Sequence, residues 1–206
     1  MDMTWLEQHF FESEGFPRPN WEAIYSDADK LGTEIDQQEF WCEIARNWMG
    51  KIQSRLSTEH QVHESENFIV LTSESGSYIK NLLGFLEHVL KRILRALPNI
   101  ASDDGFGKYV VLLFDDLNSY YTYITHFYPE SGVYGMSSGL YLNHGYGHFA
   151  FPHQNLSIAE SIVAHEMTHA LLAHLSIPVW LNEGMAVNIE DLITGSSPLQ
   201  MDNETY

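Results

Sequence analysis

The pattern of apolar and polar positions predicts a chain that mixes helices and strands. Short apolar runs rich in β-branched side chains and bounded by polar residues are typical of buried strands. Two such runs are NFIVLT at residues 67–72 and YVVLLF at residues 109–114. Two further strands are predicted at residues 132–143 and 147–151, joined by a loop that contains glycine.

Helical periodicity appears between and after these runs. An apolar residue at every fourth position predicts a helix over residues 35–57, and a longer apolar stripe predicts another over residues 77–97. Residues 115–127 are also predicted to be helical.

Two consecutive helices are predicted near the end of the sequence. Ser157 and Glu160 have the spacing of a capping box, which predicts a helix from residue 158 to about residue 175. That helix must end before Pro178, and a last helix is predicted over residues 180–193.

These elements predict an α+β fold with a mixed sheet. Glycine and proline interrupt residues 1–34, which are interpreted as a short helix, a loop and another short helix. Together with the helix at 35–57 they form a helical N-terminal segment, residues 1–65. The strands and the later helices form a second part, residues 66–206, and we expect the two parts to make one compact unit.

Composition narrows the class of protein. With 206 residues, 44% of them hydrophobic, the chain can bury one sizeable core, which excludes a disordered protein. Cys42 is the single cysteine, so neither an intrachain disulfide nor a cysteine-based zinc site can form. No run approaches the roughly 18 apolar residues that span a bilayer, and the acidic start is unlike a signal peptide. We therefore expect a cytoplasmic protein without a membrane partner.

The charge is strongly negative and unevenly distributed. Ten Lys and Arg stand against 28 Asp and Glu, a formal net charge of −18, so nucleic acid is not expected as a partner. The last basic residue is Lys108, and residues 109–206 contain neither Lys nor Arg. One interpretation is an ordinary acidic surface. The other is a site for neutral or cationic ligands, with no arginine to bind an anion.

The sequence HEMTH, residues 165–169, lies inside the first of the two late helices. Residues i and i+4 share a helix face, so His165 and His169 can bind one metal ion. Zinc suits two imidazoles, a carboxylate and a water molecule. Glu166 can then serve as the general base that takes a proton from the activated water.

A family resemblance rests on HEMTHALLAH at residues 165–174, followed by WLNEGMA at residues 180–186. These motifs resemble the gluzincin metallopeptidases, and WLNEGMA is similar to the corresponding segment of the M1-type aminopeptidases. The spacer of 13 residues between His169 and Glu183 is shorter than the M1 pattern and more similar to small peptidase MA-like domains. The resemblance extends weakly over residues 66–195 and is strong only over residues 157–190.

The resemblance implies a zincin-like, thermolysin-type domain that binds one Zn²⁺ through His165, His169 and Glu183. From the residues alone, Glu183 could also be a first-turn acid favoured by the helix dipole. Glu190, two turns further on, is either a substitute ligand or a partner of a ligand. His174 is expected at the surface, turned away from the metal.

This sequence departs from the family pattern in two respects. The M1 strand motif G-x-M-E-N is absent, and GHFAFP at residues 147–152 has no acid in its place. The tyrosine or histidine that stabilises the oxyanion normally follows the ligand glutamate at a distance, but only 23 residues follow Glu183. Either the chain is a fragment or an upstream side chain serves instead. The upstream candidates are Tyr134, Tyr141, Tyr146, His144 and His148.

The sequence therefore predicts a zinc-dependent peptidase that acts on a peptide or protein substrate. An extended substrate is expected to pair with an edge strand, for which residues 147–151 are the first choice. The alternative is a catalytically inactive, peptidase-like domain that binds metal or another protein. Glu166 argues against it, because a purely structural metal site has no use for that carboxylate. A zinc hydrolase acting on another substrate class stays open.

Overall fold

Helices and strands are interspersed along the chain and alternate from β4 (Phe68–Thr72) to β6 (Leu140–Leu142). The computed structural model describes residues 4–29, 37–103, 105–128 and 137–195. A 3₁₀ helix, Thr4–His9, precedes the first strand. The strands are β1 (Phe10–Ser13), β2 (Phe16–Pro19), β3 (Gln61–Glu64), β4 (Phe68–Thr72), β5 (Tyr109–Phe114), β6 (Leu140–Leu142) and β7 (His148–Pro152). The α-helices are α1 (Trp21–Ala28), α2 (Gln37–Gln53), α3 (Gly76–Ala96), α4 (Leu117–Thr125), α5 (Leu156–Leu172) and α6 (Val179–Thr194).

Strands β3 to β7 form one five-stranded sheet in the order β3-β4-β5-β7-β6. The central strands β4, β5 and β7 are parallel to one another. An antiparallel strand forms each edge, β3 beside β4 and β6 beside β7. Nearly every side chain of the central strands is buried, as expected when both faces of a sheet are covered. The predicted α+β fold with a mixed sheet is confirmed.

The two faces of the sheet belong to different hydrophobic cores. In β4, Ile69 and Leu71 enter one core, while Phe68 and Val70 enter the other. The first core includes residues of α1, α2 and α4, and the second includes residues of α3, α5 and α6. Burying each aliphatic side chain stabilises the fold by about 1.5–3 kcal/mol relative to exposure. The N-terminal segment therefore covers the face of the sheet opposite the HEMTH helix.

The N-terminal segment contains more than the predicted helices and loops. Strands β1 and β2 form an antiparallel hairpin with a two-residue connection, Glu14-Gly15. Both residues have positive φ angles, 51° and 74°, as the favoured hairpin turns require. The prolines at 17 and 19 argue against a strand in the sequence, but a two-stranded ribbon tolerates them. The prediction of a purely helical segment is thus incomplete.

The boundary predicted between residues 65 and 66 falls inside one sheet. β3 lies before it and pairs with β4, which lies after it. Residues on both sides of the boundary also share the first core.

The HEMTH helix, α5, begins earlier than the capping box predicts. The backbone N–H groups of Ile158 and Ala159 donate to the carbonyl of Asn155, which is the N-cap. Ser157 therefore lies inside the first turn, and the predicted capping box with Glu160 is wrong. The helix ends at Leu172, and the chain turns back into α6.

Helix α6 is bounded as the sequence suggests. Pro178 is its N-cap, and Gly195 ends it in the left-handed conformation with φ 71°. Among the described residues, no helix combines the length and apolar character needed to cross a bilayer.

Candidate metal centre

Two imidazoles share one face of α5. The ring centroids of His165 and His169 lie 4.9 Å apart, as expected for residues one turn apart on a helix. Both side chains are mostly buried, with 22% and 16% of their surface exposed. The prediction that the pair presents two nitrogen donors to one point is consistent with this geometry.

Helix α6 brings a carboxylate to the same point. Glu183 Oε2 lies 3.5 Å from His165 Nε2, and Glu183 Oε1 lies 3.6 Å from His169 Nε2. One ligand atom from each of the three residues lies within 4.8 Å of the other two. The short connection between α5 and α6 folds the second helix back along the first and produces this convergence.

The spacing of the three donors fits a small tetrahedral ion. Ligands about 2.0–2.1 Å from a central zinc ion, at tetrahedral angles, are separated from one another by about 3.3 Å. The two observed nitrogen–oxygen separations, 3.5 and 3.6 Å, are close to that value. Two imidazoles with one carboxylate also form a donor set that zinc accepts. The residues therefore fit the metal that the sequence predicts.

The second nitrogen of each imidazole is already held by a neighbour on α6. His165 Nδ1 lies 3.2 Å from Glu190 Oε2, and His169 Nδ1 lies 3.1 Å from Asn182 Oδ1. Carboxylate and amide oxygens only accept hydrogen bonds, so each Nδ1–H donates. In a neutral imidazole, Nε2 then carries a lone pair on the side that faces Glu183. Glu190 contacts the Nδ1 side of His165.

Glu166 lies beside the three donors and points toward the sheet. Its Oε2 accepts a hydrogen bond of 2.7 Å from the backbone N–H of Tyr141 in β6. Burial raises the pKa of Glu166 to about 7, although the Tyr141 N–H and the nearby His169 lower it in part. A carboxylate whose pKa is close to neutral is suited to accept a proton and release it again.

An open cleft of about 760 Å³ surrounds these residues. One side consists of β6 and the residues just before it, Ser137, Ser138 and Gly139. Aliphatic side chains of α5, of α6 and of the connection between them form another side. They are Ile162, Leu172, Leu175, Ile177 and Val179. The cleft can therefore accommodate an extended ligand with apolar side chains.

The cleft is acidic. Glu166, Glu183 and Glu190 all line it, and none of the described lining residues is a lysine or an arginine. This arrangement agrees with the absence of basic residues after Lys108 in the sequence. The functional interpretation of that absence, a site for neutral or cationic ligands, is the one that this surface favours.

The predicted oxyanion donors are dispersed. Of those described, Tyr141 alone lines the cleft. The hydroxyl of Tyr146 donates to the Lys108 carbonyl, and both ring nitrogens of buried His148 have partners. His144 lines a different cavity. Tyr134 lies outside the described residues.

The strand expected to receive a substrate is not at an edge. Residues 148–152 form β7, which lies between β5 and β6 in the sheet. Both of its sides are therefore paired, and the prediction that residues 147–151 bind an extended substrate is wrong. The edge strand beside the site is β6, whose free side faces α5 through the Tyr141–Glu166 hydrogen bond.

Sequence reasoning missed the role of Asn182. Its signal is its position directly before the predicted ligand Glu183, in the first turn of α6. His174, expected at the surface, is exposed just after α5 ends.

Comparisons of this chain with protein-family models, with curated proteins and with solved structures found no match. Its function is therefore inferred from the chemistry of the site itself.

Proposed function

We propose that this protein is a zinc-dependent peptidase of the gluzincin type, with a zincin-like arrangement of β6, α5 and α6. The observation that carries the proposal is the convergence of His165 Nε2, His169 Nε2 and the Glu183 carboxylate, with Glu166 beside them. Three protein donors leave one tetrahedral position for a water molecule, as catalytic zinc sites do, whereas structural sites use four protein ligands. His165, His169 and Glu183 would hold the ion.

The chemistry assigns a separate task to Glu166. A bound zinc ion would polarise the scissile carbonyl and acidify a water molecule. Glu166 accepts a proton from that water while the water oxygen bonds to the carbonyl carbon. It then donates the proton to the amine nitrogen when the carbon–nitrogen bond breaks. The hydrogen bond from Tyr141 N–H holds one oxygen of this carboxylate, Oε2.

The cleft also supports a peptide as the substrate. An extended peptide can lie antiparallel to an edge strand and bond to its unpaired backbone groups. β6 is the edge strand that borders the cleft, and Glu166 takes up the Tyr141 N–H of that edge. The aliphatic wall that includes Ile162, Leu172 and Ile177 can receive one apolar side chain of that peptide.

Metal analysis combined with hydrolysis of a generic unfolded protein tests the proposal. We expect wild-type protein to bind one equivalent of zinc and to hydrolyse the substrate. Glu166→Gln should keep the metal but lose at least about two orders of magnitude in rate, the scale of general-base loss. His165→Ala should lose both. Glu160→Gln is a matched control, since Glu160 lies on the same helix but outside the cleft.

Two results would contradict the proposal. A zinc-soaked structure in which Glu183 points away from the imidazoles would exclude the gluzincin ligand set, for which zinc–nitrogen distances of about 2.0–2.1 Å are expected. Equal rates for wild type and Glu166→Gln on every peptide would instead favour the catalytically inactive, metal-binding or protein-binding domain.

A further inference from the structure

A second cavity, of about 560 Å³, lies between the N-terminal segment and the chain that follows α4 and β6. None of its lining residues lines the metal cleft. It is bordered by β2 and α1, by Trp48 of α2, and by Phe127, His144 and His148. The proposed peptidase chemistry does not use it.

Arg18 of β2 lines this cavity and is almost completely buried, with 2% of its surface exposed. Its Nη2 donates a hydrogen bond of 2.7 Å to the carbonyl of Tyr123. Its Nε and Nη1 are buried and have no hydrogen-bond partner. No described carboxylate lies within 4 Å of the guanidinium. Buried charged groups are normally paired, and these two donors lack the acceptor that a buried cation normally has.

Aromatic rings surround the guanidinium. The guanidinium carbon lies 4.1 Å from the ring centroid of Tyr123, 5.2 Å from that of Phe127 and 5.5 Å from that of Phe16. A ring stacks on the face of a guanidinium, whereas the N–H groups point outward in its plane. The rings therefore fix Arg18, and its Nε–H and Nη1–H have no hydrogen-bond acceptor among the described residues.

Arg18 is the one lysine or arginine among the described residues that line the cavity. Besides Arg18 the cavity is lined by three histidines, His126, His144 and His148, and its one described acidic lining residue is Glu22. Burial lowers the pKa of His126, and the charge of Arg18 lowers it further. Two tryptophans, Trp21 and Trp48, form part of the wall. A cation surrounded by large apolar surfaces favours an anion with an apolar body.

We propose that this cavity binds a small carboxylate that carries an aromatic or other apolar group. The carboxylate accepts hydrogen bonds from the unpartnered N–H groups of Arg18. The apolar group packs against Trp21, Trp48 and Phe127. Binding at this site does not require the metal centre, because the two sites share no lining residue.

A matched pair of probes tests the charge requirement. Wild-type protein, with and without zinc, is titrated with benzoate and with benzamide, which has a similar shape but no charge. Quenching of tryptophan fluorescence and calorimetry report binding, since two tryptophans line the cavity. We expect benzoate to bind at least about tenfold more tightly than benzamide, the usual effect of a charge-assisted hydrogen bond. Inorganic phosphate, an anion without an apolar body, should bind more weakly than benzoate.

A matched pair of variants tests the residue. Arg18→Met should weaken benzoate binding by about tenfold or more. Arg55→Met should leave it unchanged, because Arg55 is half exposed, pairs with Glu12 and lies outside the cavity. If Arg18→Met does not fold, nuclear magnetic resonance on wild type decides. In that experiment the Arg18 Nε–H signal should shift with benzoate and stay in place with benzamide.

Four outcomes would overturn the proposal, three of them in binding measurements. The first is equal affinity for benzoate and benzamide. The second is no benzoate binding up to about 50 mM, a concentration that would saturate a site of millimolar affinity. The third is unchanged benzoate affinity in folded Arg18→Met. An Arg18 Nε–H signal that ignores benzoate would overturn it as well. The activity of Glu166→Gln tests only the proposed peptidase function, and benzoate binding tests only this cavity. Either proposal can therefore be contradicted without the other.

Discussion

Asn182 Oδ1 accepts a hydrogen bond of 3.1 Å from His169 Nδ1, so the residue before Glu183 orients the imidazole that Glu183 faces. Two adjacent residues of α6 thus supply the Glu183 carboxylate and the Asn182 amide that sets the tautomer of His169. Partners of this kind raise the basicity of a metal-binding imidazole and fix its ring.

We predict that Asn182→Ala weakens zinc binding by about 10–100-fold, the usual cost of losing a partner of a metal-bound histidine. Competition with a zinc chelator of known affinity measures the change. Asn188→Ala is the control, because Asn188 lies on the same helix but donates only to the Gly184 carbonyl. Equal zinc affinity in Asn182→Ala and Asn188→Ala would show that Asn182 does not support His169.

The acidic cleft predicts a preference among substrates. Above the pKa of Glu166, about 7, the three lining glutamates outweigh the two positive charges of a bound zinc ion. Peptides with Lys or Arg near the scissile bond should then be cleaved faster than matched peptides with Asp or Glu. The protein should not act as a carboxypeptidase, since no described lining residue offers a cation for a terminal carboxylate.

Salt provides the control for this preference. It should shrink as ionic strength rises from about 10 mM to about 500 mM, where the Debye length falls from roughly 30 Å to a few Å. Kinetics on peptide pairs that differ only in flanking charge measure it. Faster cleavage of the acidic peptides at low salt would contradict the prediction and place an unrecognised cation at the cleft.

We predict that the free energy of unfolding decreases in mild acid because of His148. This histidine is buried, its Nδ1–H donates to the Tyr146 carbonyl, and its Nε2 accepts from the Tyr123 hydroxyl. Burial therefore lowers its pKa from the ordinary 6.5 to about 3. Between these values the unfolded chain binds a proton that the folded chain does not. The free energy of unfolding is therefore unaffected by His148 titration above pH 6.5. Below pH 6.5 it falls by up to about 1.4 kcal/mol per pH unit.

Urea unfolding between about pH 5 and 8 measures this contribution. His148→Gln should show a shallower decline in the free energy of unfolding below pH 6.5 than wild type. His174→Gln, at an exposed position, should follow the wild-type curve. Parallel curves for wild type and His148→Gln would mean that His148 does not stay neutral in the fold.

Two glycines with positive φ predict different responses to alanine. At Gly145, φ is 58° and a Cβ would lie 2.0 Å from the ring of Trp21. At Gly15, φ is 74° but no atom lies within 4 Å of the added Cβ. We expect Gly15→Ala to lose about 1 kcal/mol from backbone strain, and Gly145→Ala to lose about 3 kcal/mol or more.

Thermal and urea unfolding of both variants measure these losses. Since both glycines have similar φ angles, the difference between the variants isolates the contact with Trp21. Equal losses would show that the Trp21 ring moves aside at little cost.

Local patterns in the sequence predicted the central architecture well. The apolar runs of β4 and β5 and the stripe of α3 are found within a residue or two of their expected bounds. These elements are buried between covering layers, so their apolar periodicity is strong. In the site, the pairing of His165 with His169 and the return of α6 along α5 were also predictable. A shared helix face and a short connection are both local properties of the sequence.

Features that depend on distant parts of the chain were not predictable. Nothing in the sequence of β7 distinguishes an interior strand from an edge strand, because sheet order is decided by pairing with β5 and β6. The β1–β2 hairpin contains prolines that oppose a strand locally, yet its residues Phe10 and Phe16 pack onto the first core. Asn182 acquires its role only when α6 lies against α5.

The five-stranded sheet contains residues from both sides of position 65, which limits how the chain can be truncated for production. A truncated chain that begins at residue 66 would lack β3, leaving the main chain of β4 as an unprotected edge. It would also uncover the apolar face formed by Ile69, Leu71, Val110 and Leu112. The segment with the HEMTH motif is therefore not an autonomous folding unit, and removal of the first 65 residues would turn the centre of the molecule into an aggregation surface.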